Sequence, residues 1–237
     1  MSRPRNLVIA IDGPAGAGKS TIASRLARKL GYLNIETGAM YRALALKAIQ
    51  TSTSIDNGAA LLALAQQSSI HLDPTTEGNR VLLDDVDVSQ RIRQQDVTEA
   101  ASRVSVHPGV RQWMVEHQRQ MGLGRGVVME GRDIGTKVFP DADLKIFLDA
   151  HPSVRAQRRV KQHEEKGIAH SAEAVAAEML ERDRRDKTRV ESPLVAAPDA
   201  HVLDTSALSL EQVIAEAERL VDEILNKQAT SNSQATS

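Results

Sequence analysis

The chain alternates short apolar runs with longer amphipathic stretches. Leu7-Val8-Ile9-Ala10-Ile11 is unbroken by polar residues, as expected of a strand buried on both faces of a sheet. Ile22, Leu26 and Leu30 then recur every four residues, the period of one helical face. The apolar runs Leu33–Glu36, Val127–Glu130, Leu144–Asp149 and Val202–Asp204 read as four further core strands. Helical patterns fall between them over Thr37 to about Gln50, Asn57–Gln67, Gln94–Val106, Gly109 to about Gln120, Val154–Lys166, Ala172–Arg189 and Leu210–Asn226. Thr37 is placed to cap the second helix. Strands separated by helices predict a parallel sheet covered on both faces.

Residues 69–88 break the rhythm. Ser69–Asp73 alternates polar and apolar, 75–79 is a turn cluster, and Arg80–Leu83 and Val86–Val88 follow. This predicts short antiparallel strands inserted on the core. Gly122–Gly126 reads as a loop, Gly167 ends the charged helix before it, and 227–237 is polar and rich in alanine and serine, a frayed tail.

Composition narrows the function classes. The 237 residues are 41% hydrophobic and 26% charged, enough for a core, and no apolar run reaches membrane-span length. Cysteine is absent, which removes disulfides and thiolate metal sites and suits the cytoplasm. A net charge of −1 argues against a general nucleic-acid surface. Of 30 basic residues, 21 are arginine, whose planar fork matches phosphate oxygens.

Gly13-Pro14-Ala15-Gly16-Ala17-Gly18-Lys19-Ser20 fits the phosphate-cradling pattern G-x-x-x-x-G-K-[ST], with the strand before it and the helix after it that this motif requires. Its glycines let backbone N–H groups approach a triphosphate, and the helix N-terminus adds positive charge. Lys19 is placed for the β/γ-phosphates and the Ser20 hydroxyl for Mg²⁺. No Asn-Lys-x-Asp segment exists to read guanine, because the single Asn226-Lys227 is followed by Gln228-Ala229. Small-molecule kinases remain. A hydroxyl acceptor needs a general base, whereas an acceptor phosphate is already ionised and needs cations to offset repulsion. Arg42 and Arg132 fall beyond the ends of predicted strands, beside Glu36, Glu130, Asp133 and Asp149, where α/β sheets bind ligands. Arg182, Asp186 and Arg189 share one helical face at i, i+4 and i+7; the pair Arg182–Asp186 by itself also reads as an ordinary ion pair.

Ile9–Ser20, Thr37-Gly38-Ala39-Met40-Tyr41-Arg42, Gly131-Arg132-Asp133-Ile134-Gly135-Thr136 and Glu181-Arg182-Asp183-Arg184-Arg185-Asp186 resemble, in order, the motifs of the bacterial-type cytidylate kinases. The resemblance runs from about residue 6 to 225. It implies a P-loop kinase fold with a five-stranded parallel sheet, a small β insert at about 69–88 in the monophosphate-binding region, and a helical lid. The implied organisation is 1–36 core, 37–121 monophosphate-binding region, 122–150 core, 151–170 lid, 171–226 core and 227–237 tail. It implies Mg²⁺-dependent phosphoryl transfer from ATP to CMP or dCMP by a monomer. ATP would be held by residues 13–21, from Gly13 through Thr21, and by Arg158. Arg42, Arg132 and Arg189 would hold the acceptor phosphate; Thr37, Arg111 and Asp133 would read cytosine; Ser102, Arg182 and Asp186 would hold the ribose. Lys19, Arg132 and Arg189 would be catalytic. The segment from Arg155 to about Gly167 resembles the lid, whose Arg155, Arg158 and Arg159 would close over the ATP phosphates; an exposed charged helix is the alternative reading. Glu36 and Glu130 depart from the family, which more often has Asp at both positions.

Overall fold

The computed structural model describes residues 6–75, 78–124, 126–165, 167 and 171–234. In chain order these form β1 (Val8–Asp12), α1 (Lys19–Leu30), β2 (Leu33–Glu36), α2 (Gly38–Gln50), α3 (Gly58–Gln67), β3 (Ile70–Thr75), β4 (Gly78–Leu83), β5 (Val86–Asp87) and a 3₁₀ turn at Arg91–Arg93. There follow α4 (Gln95–Val104), α5 (Pro108–Gly122), β6 (Val127–Glu130), a π-helical turn at Ile134–Val138, β7 (Leu144–Asp149), α6 (Pro152–Glu165), α7 (Ala172–Thr188), β8 (His201–Asp204) and α8 (Leu210–Gln234).

The five apolar runs make one sheet in the order β2-β6-β1-β7-β8, and each adjacent pair is parallel. The central strand is buried on both faces because its side chains alternate between two cores. Ile9 and Ile11 pack with Ile22 and Leu26 of α1 and Val213 and Leu220 of α8. Ala10 faces the other way, with Ile35, Met129 and Phe139. A third core is built from α2 to α5 and the insert, around Leu44, Leu61, Val81 and Met114. The insert is a separate antiparallel sheet, β3-β4-β5. No described helix is long and apolar enough to cross a membrane.

Three expectations change. Thr37 has helical backbone angles and its hydroxyl donates to the Glu130 carbonyl at 2.8 Å, so it ties β6 to α2 instead of capping the helix. The last helix continues past Asn226 to Gln234, since Lys227, Gln228 and Ala229 are good helix formers and no Gly or Pro intervenes. α7 ends at Thr188, and Arg189 is extended (φ −62°, ψ 142°), off the helical face. Of the turn at 75–79, residues 76 and 77 lie outside the described residues. So do 125 in the loop after α5, 166 and 168–170 of the expected lid, and 235–237 of the expected tail.

The register brings the ends of the strands together. Glu36 pairs with Glu130 across β2 and β6, and Glu130 with Ile11 across β6 and β1. The loop after β1 therefore opens beside the loops after β2 and β6.

Candidate active site

The loop after β1 is shaped by backbone that favours glycine. Gly13 has φ +145°, and a Cβ there would lie 2.0 Å from the Leu148 carbonyl oxygen. Gly16 (φ +78°) is pressed by Met179 and Arg155, and Gly18 (φ +95°) opens α1. No acidic residue stands in the first turn of α1, so its free N–H groups keep their positive potential. Lys19 is 7% exposed and donates to the Pro14 carbonyl at 2.7 Å. Burial, and then the charge of Arg132, lower its pKa to about 7.

Two clefts meet at Gly16, Lys19 and Ser20. The larger, of about 620 Å³, runs along the start of α1 past Thr21, Arg158, Arg159, Thr205, Leu208 and Val213. The smaller, of about 180 Å³, is lined by charged side chains from five segments distant in sequence. Among them are Glu36, Thr37 and Arg42, Ser102, Arg111, then Glu130, Arg132 and Asp133, and finally Arg182, Asp186 and Arg189.

In the smaller cleft, carboxylates hold the arginines in place. Arg42 donates to Glu36 at 2.6 Å. Asp186 accepts from Arg132 at 2.9 Å and from Arg189 at 3.3 Å, and Arg189 also donates to the Ser192 carbonyl. Arg111 donates to Asp133 at 2.5 Å and to the Ser105 carbonyl, and its guanidinium lies 5.5 Å from the centre of the Tyr41 ring. Burial works to raise the pKa of Asp186, but Arg132, Arg182 and Arg189 outweigh it and hold the carboxyl below its usual range. Glu36 is likewise low, with Arg42 overcoming burial. Burial and the charge of Arg132 draw Arg182 down to about 10. Glu130 goes the other way: burial, then the neighbouring charge of Glu36, push it up to about 7.

The cleft also has capacity to spare. Arg42 Nε, Ser102 Oγ, Arg111 Nε, Glu130 Oε1 and Arg189 Nη2 are buried without a hydrogen-bond partner. Each such atom costs roughly 1–3 kcal/mol unless a ligand meets it. Three of the five are arginine nitrogens, so the cleft is suited to a polar, anionic molecule.

The family model for cytidylate kinase matches residues 9–223. The chain belongs to the cytidylate kinase family. It is 50% identical over 207 residues to the cytidylate kinase of Pelotomaculum thermopropionicum, covering 87% of this chain and 92% of that one. With the cytidylate kinase of Solibacter usitatus it shares 48% over 231 residues, 97% of this chain and 96% of the other. With that of an Exiguobacterium species it shares 44% over 220 residues, covering 93% and 98%.

All nine side chains that the family resemblance assigns to the acceptor line the smaller cleft. Of the expected ATP residues, Ala15, Gly16, Lys19 and Ser20 line it too, while Gly16 to Thr21 and Arg158 line the larger one. Gly13 and Pro14 line neither; they shape the loop. Arg182 has no carboxylate within 4 Å among the described residues, so the simple Arg182–Asp186 ion pair is not formed. Arg155 is not available for a lid. It is 2% exposed, and its guanidinium donates to Asp183 at 2.6 and 3.2 Å and to the Ala150 and Ala15 carbonyls. It braces α7 against the glycine loop. Arg158 donates to the Thr205 hydroxyl and carbonyl, and Arg159 faces the larger cleft. Asp149 accepts from the Ala150 N–H and lines neither cleft. Tyr41 and Ser105 line the smaller cleft without having been singled out, although Tyr41 stands one residue before Arg42.

Proposed function

We propose that this protein transfers the γ-phosphoryl group of ATP to CMP or dCMP, giving ADP and CDP or dCDP. The observation that carries the reading is the set of arginines with unpaired donors in a cleft that opens onto the glycine loop. An ionised acceptor phosphate attacks Pγ without needing a base, and the bond from Pγ to the β-phosphate oxygen breaks. The protein's part is positioning and charge. Lys19 leaves the Pro14 carbonyl for the β/γ-phosphates, and the N–H groups of residues 15–21 cradle the donor. Arg42, Arg132 and Arg189 turn their free donors to the acceptor phosphate. Asp133 accepts from the cytosine amino group while Arg111 donates to the ring nitrogen and carbonyl, with Thr37 alongside. Uracil would face Asp133 acceptor to acceptor. Ser102, Arg182 and Asp186 hold the ribose.

The residues present fit a magnesium ion. Ser20 stands where the clefts join, beside the Glu130 side chain. Among the described residues no cluster of three His, Asp or Glu could hold an ion by itself. The Ser20 hydroxyl would hold it together with the nucleotide phosphates, and the ion would neutralise their charge. Arg158 and Arg159 of α6 lie along the donor cleft, and this helix within 151–170 forms the lid.

A coupled assay of ADP release with Mg²⁺-ATP and a panel of CMP, dCMP, UMP and AMP tests the reading. ADP should form fastest with CMP or dCMP. Silence with both, alongside turnover of another acceptor, sinks it.

A further inference from the structure

Asp12 lines neither cleft, yet its carboxylate joins the segments that build them. It is the last residue of β1, directly before Gly13, and is 5% exposed. Its Oδ1 accepts the Ile134 N–H at 2.8 Å and its Oδ2 accepts the Gly135 N–H at 2.7 Å. These two amides open the π-helical turn and directly follow Arg132 and Asp133. The turn grips Asp133 from the other side, since its carbonyl accepts from Lys137 and Val138. Gly131 N–H donates to the Ile11 carbonyl at 2.9 Å. The pair Arg132-Asp133 is thus strung between two anchors, Ile11 and Asp12, on the strand that launches the glycine loop.

An ordinary turn could be capped by water or a neutral side chain. Here a full carboxylate is buried, and burial is expensive enough to push its pKa up to about 6 despite two N–H donors. Gly135 sits beside this contact: a Cβ there would touch Asp12 Oδ2 at an ordinary 3.4 Å and crowd the Lys145 methylenes at 3.1–3.2 Å.

We propose that Asp12 is a positioning residue for phosphoryl transfer, fixing Arg132 and Asp133 of the acceptor site relative to the donor loop through the Ile134 and Gly135 amides. This rests on the reaction proposed above. In-line transfer between two bound nucleotides tolerates little relative displacement, and about 1 Å of misplacement can cost on the order of 100-fold in rate.

Two variants approach the contact from opposite sides. Asp12→Asn keeps the shape and turns an amino group onto one of the amides. Gly135→Ala crowds the turn against the Lys145 methylenes beside Asp12 and leaves every charge in place, including the field of Asp12 on Lys19. For both, kcat with CMP should fall by roughly 10- to 100-fold. The ratio of kcat/KM for CMP over UMP should fall as well, with KM for ATP unchanged. The double variant should be no slower than the slower single one, because both break the same contact. A turn cap of structural importance alone would lower the melting temperature and leave the CMP:UMP ratio untouched; that result overturns the inference. If Asp12→Asn does not fold, Gly135→Ala decides by the same ratio. A wild-type enzyme inert toward CMP would overturn the proposed function and this inference with it. A wild type active on CMP whose variants keep its ratio and rate overturns the inference alone.

Discussion

The glycine loop and the smaller cleft, proposed above as donor loop and acceptor cleft, offer phosphates different means of binding. The loop is one contiguous run of eight residues, and most of what it offers is backbone: positive-φ glycines, free amides and a helix N-terminus. Only Lys19 and Ser20 add side-chain chemistry. The acceptor cleft is built almost wholly from side chains, carried by five segments from Glu36 to Arg189. A backbone cradle reads only that a phosphate is there. A side-chain cleft can also read what the phosphate is attached to, at the expense of holding several arginines together before substrate arrives. Glu36, Asp133 and Asp186 solve that problem by pairing with Arg42, Arg111, Arg132 and Arg189 while each cluster keeps a donor unused. These pairs differ in kind from Arg184–Glu181 and Arg219–Glu216 on the surface, where water and salt screen the charges.

The contrast predicts that donor-loop damage is indifferent to the acceptor. Lys19→Ala removes the one buried cation at the junction of the clefts, and kcat should fall by roughly 1,000-fold, as for loss of a preorganised transition-state donor. The fall should be equal with CMP and with UMP in an ADP-release assay. A loss confined to one acceptor would mean that Lys19 belongs to the acceptor site.

Acceptor-cleft damage should be selective. Asp133→Ala leaves Arg111 buried without its carboxylate and removes the acceptor proposed for the cytosine amino group. The preference for CMP over UMP in kcat/KM should drop by about 10-fold, the lower part of what an unpaired buried group costs. KM for ATP should hold. Unchanged selectivity would break the assignment of base reading to this side chain.

The same contrast explains how much could be read from the chain. Five strands and the glycine loop are legible because each is local: an apolar run, or eight residues with their flanks. Arg132 is legible because it lies between two glycines, Gly131 and Gly135, at a strand's C-terminal end. Ser102 and Arg111 came only from resemblance, since nothing local distinguishes Arg111 on α5 from any helical arginine. Arg155 shows the converse. In sequence it is one of several arginines on a charged helix, and only packing reveals that Asp183, 28 residues on, has claimed it. Asp12 was hidden because its partners are backbone amides 122 and 123 residues away, which leave no trace in residue type. Thr37 had the residue type of a cap but met the Glu130 carbonyl first.

The smallest effect probes the seam between the two regions, where Glu130 and Ser20 of the glycine loop line the same cleft. Glu130 is 4% exposed and stands in register with Glu36. Its pKa, raised to about 7 by burial and by Glu36, means that the folded protein binds this proton more tightly than the unfolded chain does. The resulting stabilisation is complete below the unfolded value of 4.5 and is lost as pH rises through about 7. Asp12, raised by burial to about 6, acts in the same direction but is spent earlier. Glu36 and Asp186, held low, titrate below this range. Lys19, lowered to about 7 by burial and Arg132, works with the opposite sign above it. The interval from pH 6 to 7 therefore belongs mainly to Glu130. In nucleotide-free protein with a chelator present, Glu130→Gln should melt with the wild type near pH 5 and above it by pH 7.5. The difference should reach roughly 1–3 kcal/mol, a shift of several degrees. A difference that stays flat across this range would mean that Glu130 is ionised throughout, and that the two glutamates at the seam keep both negative charges and rely on Lys19, Arg42 and Arg132 to offset them.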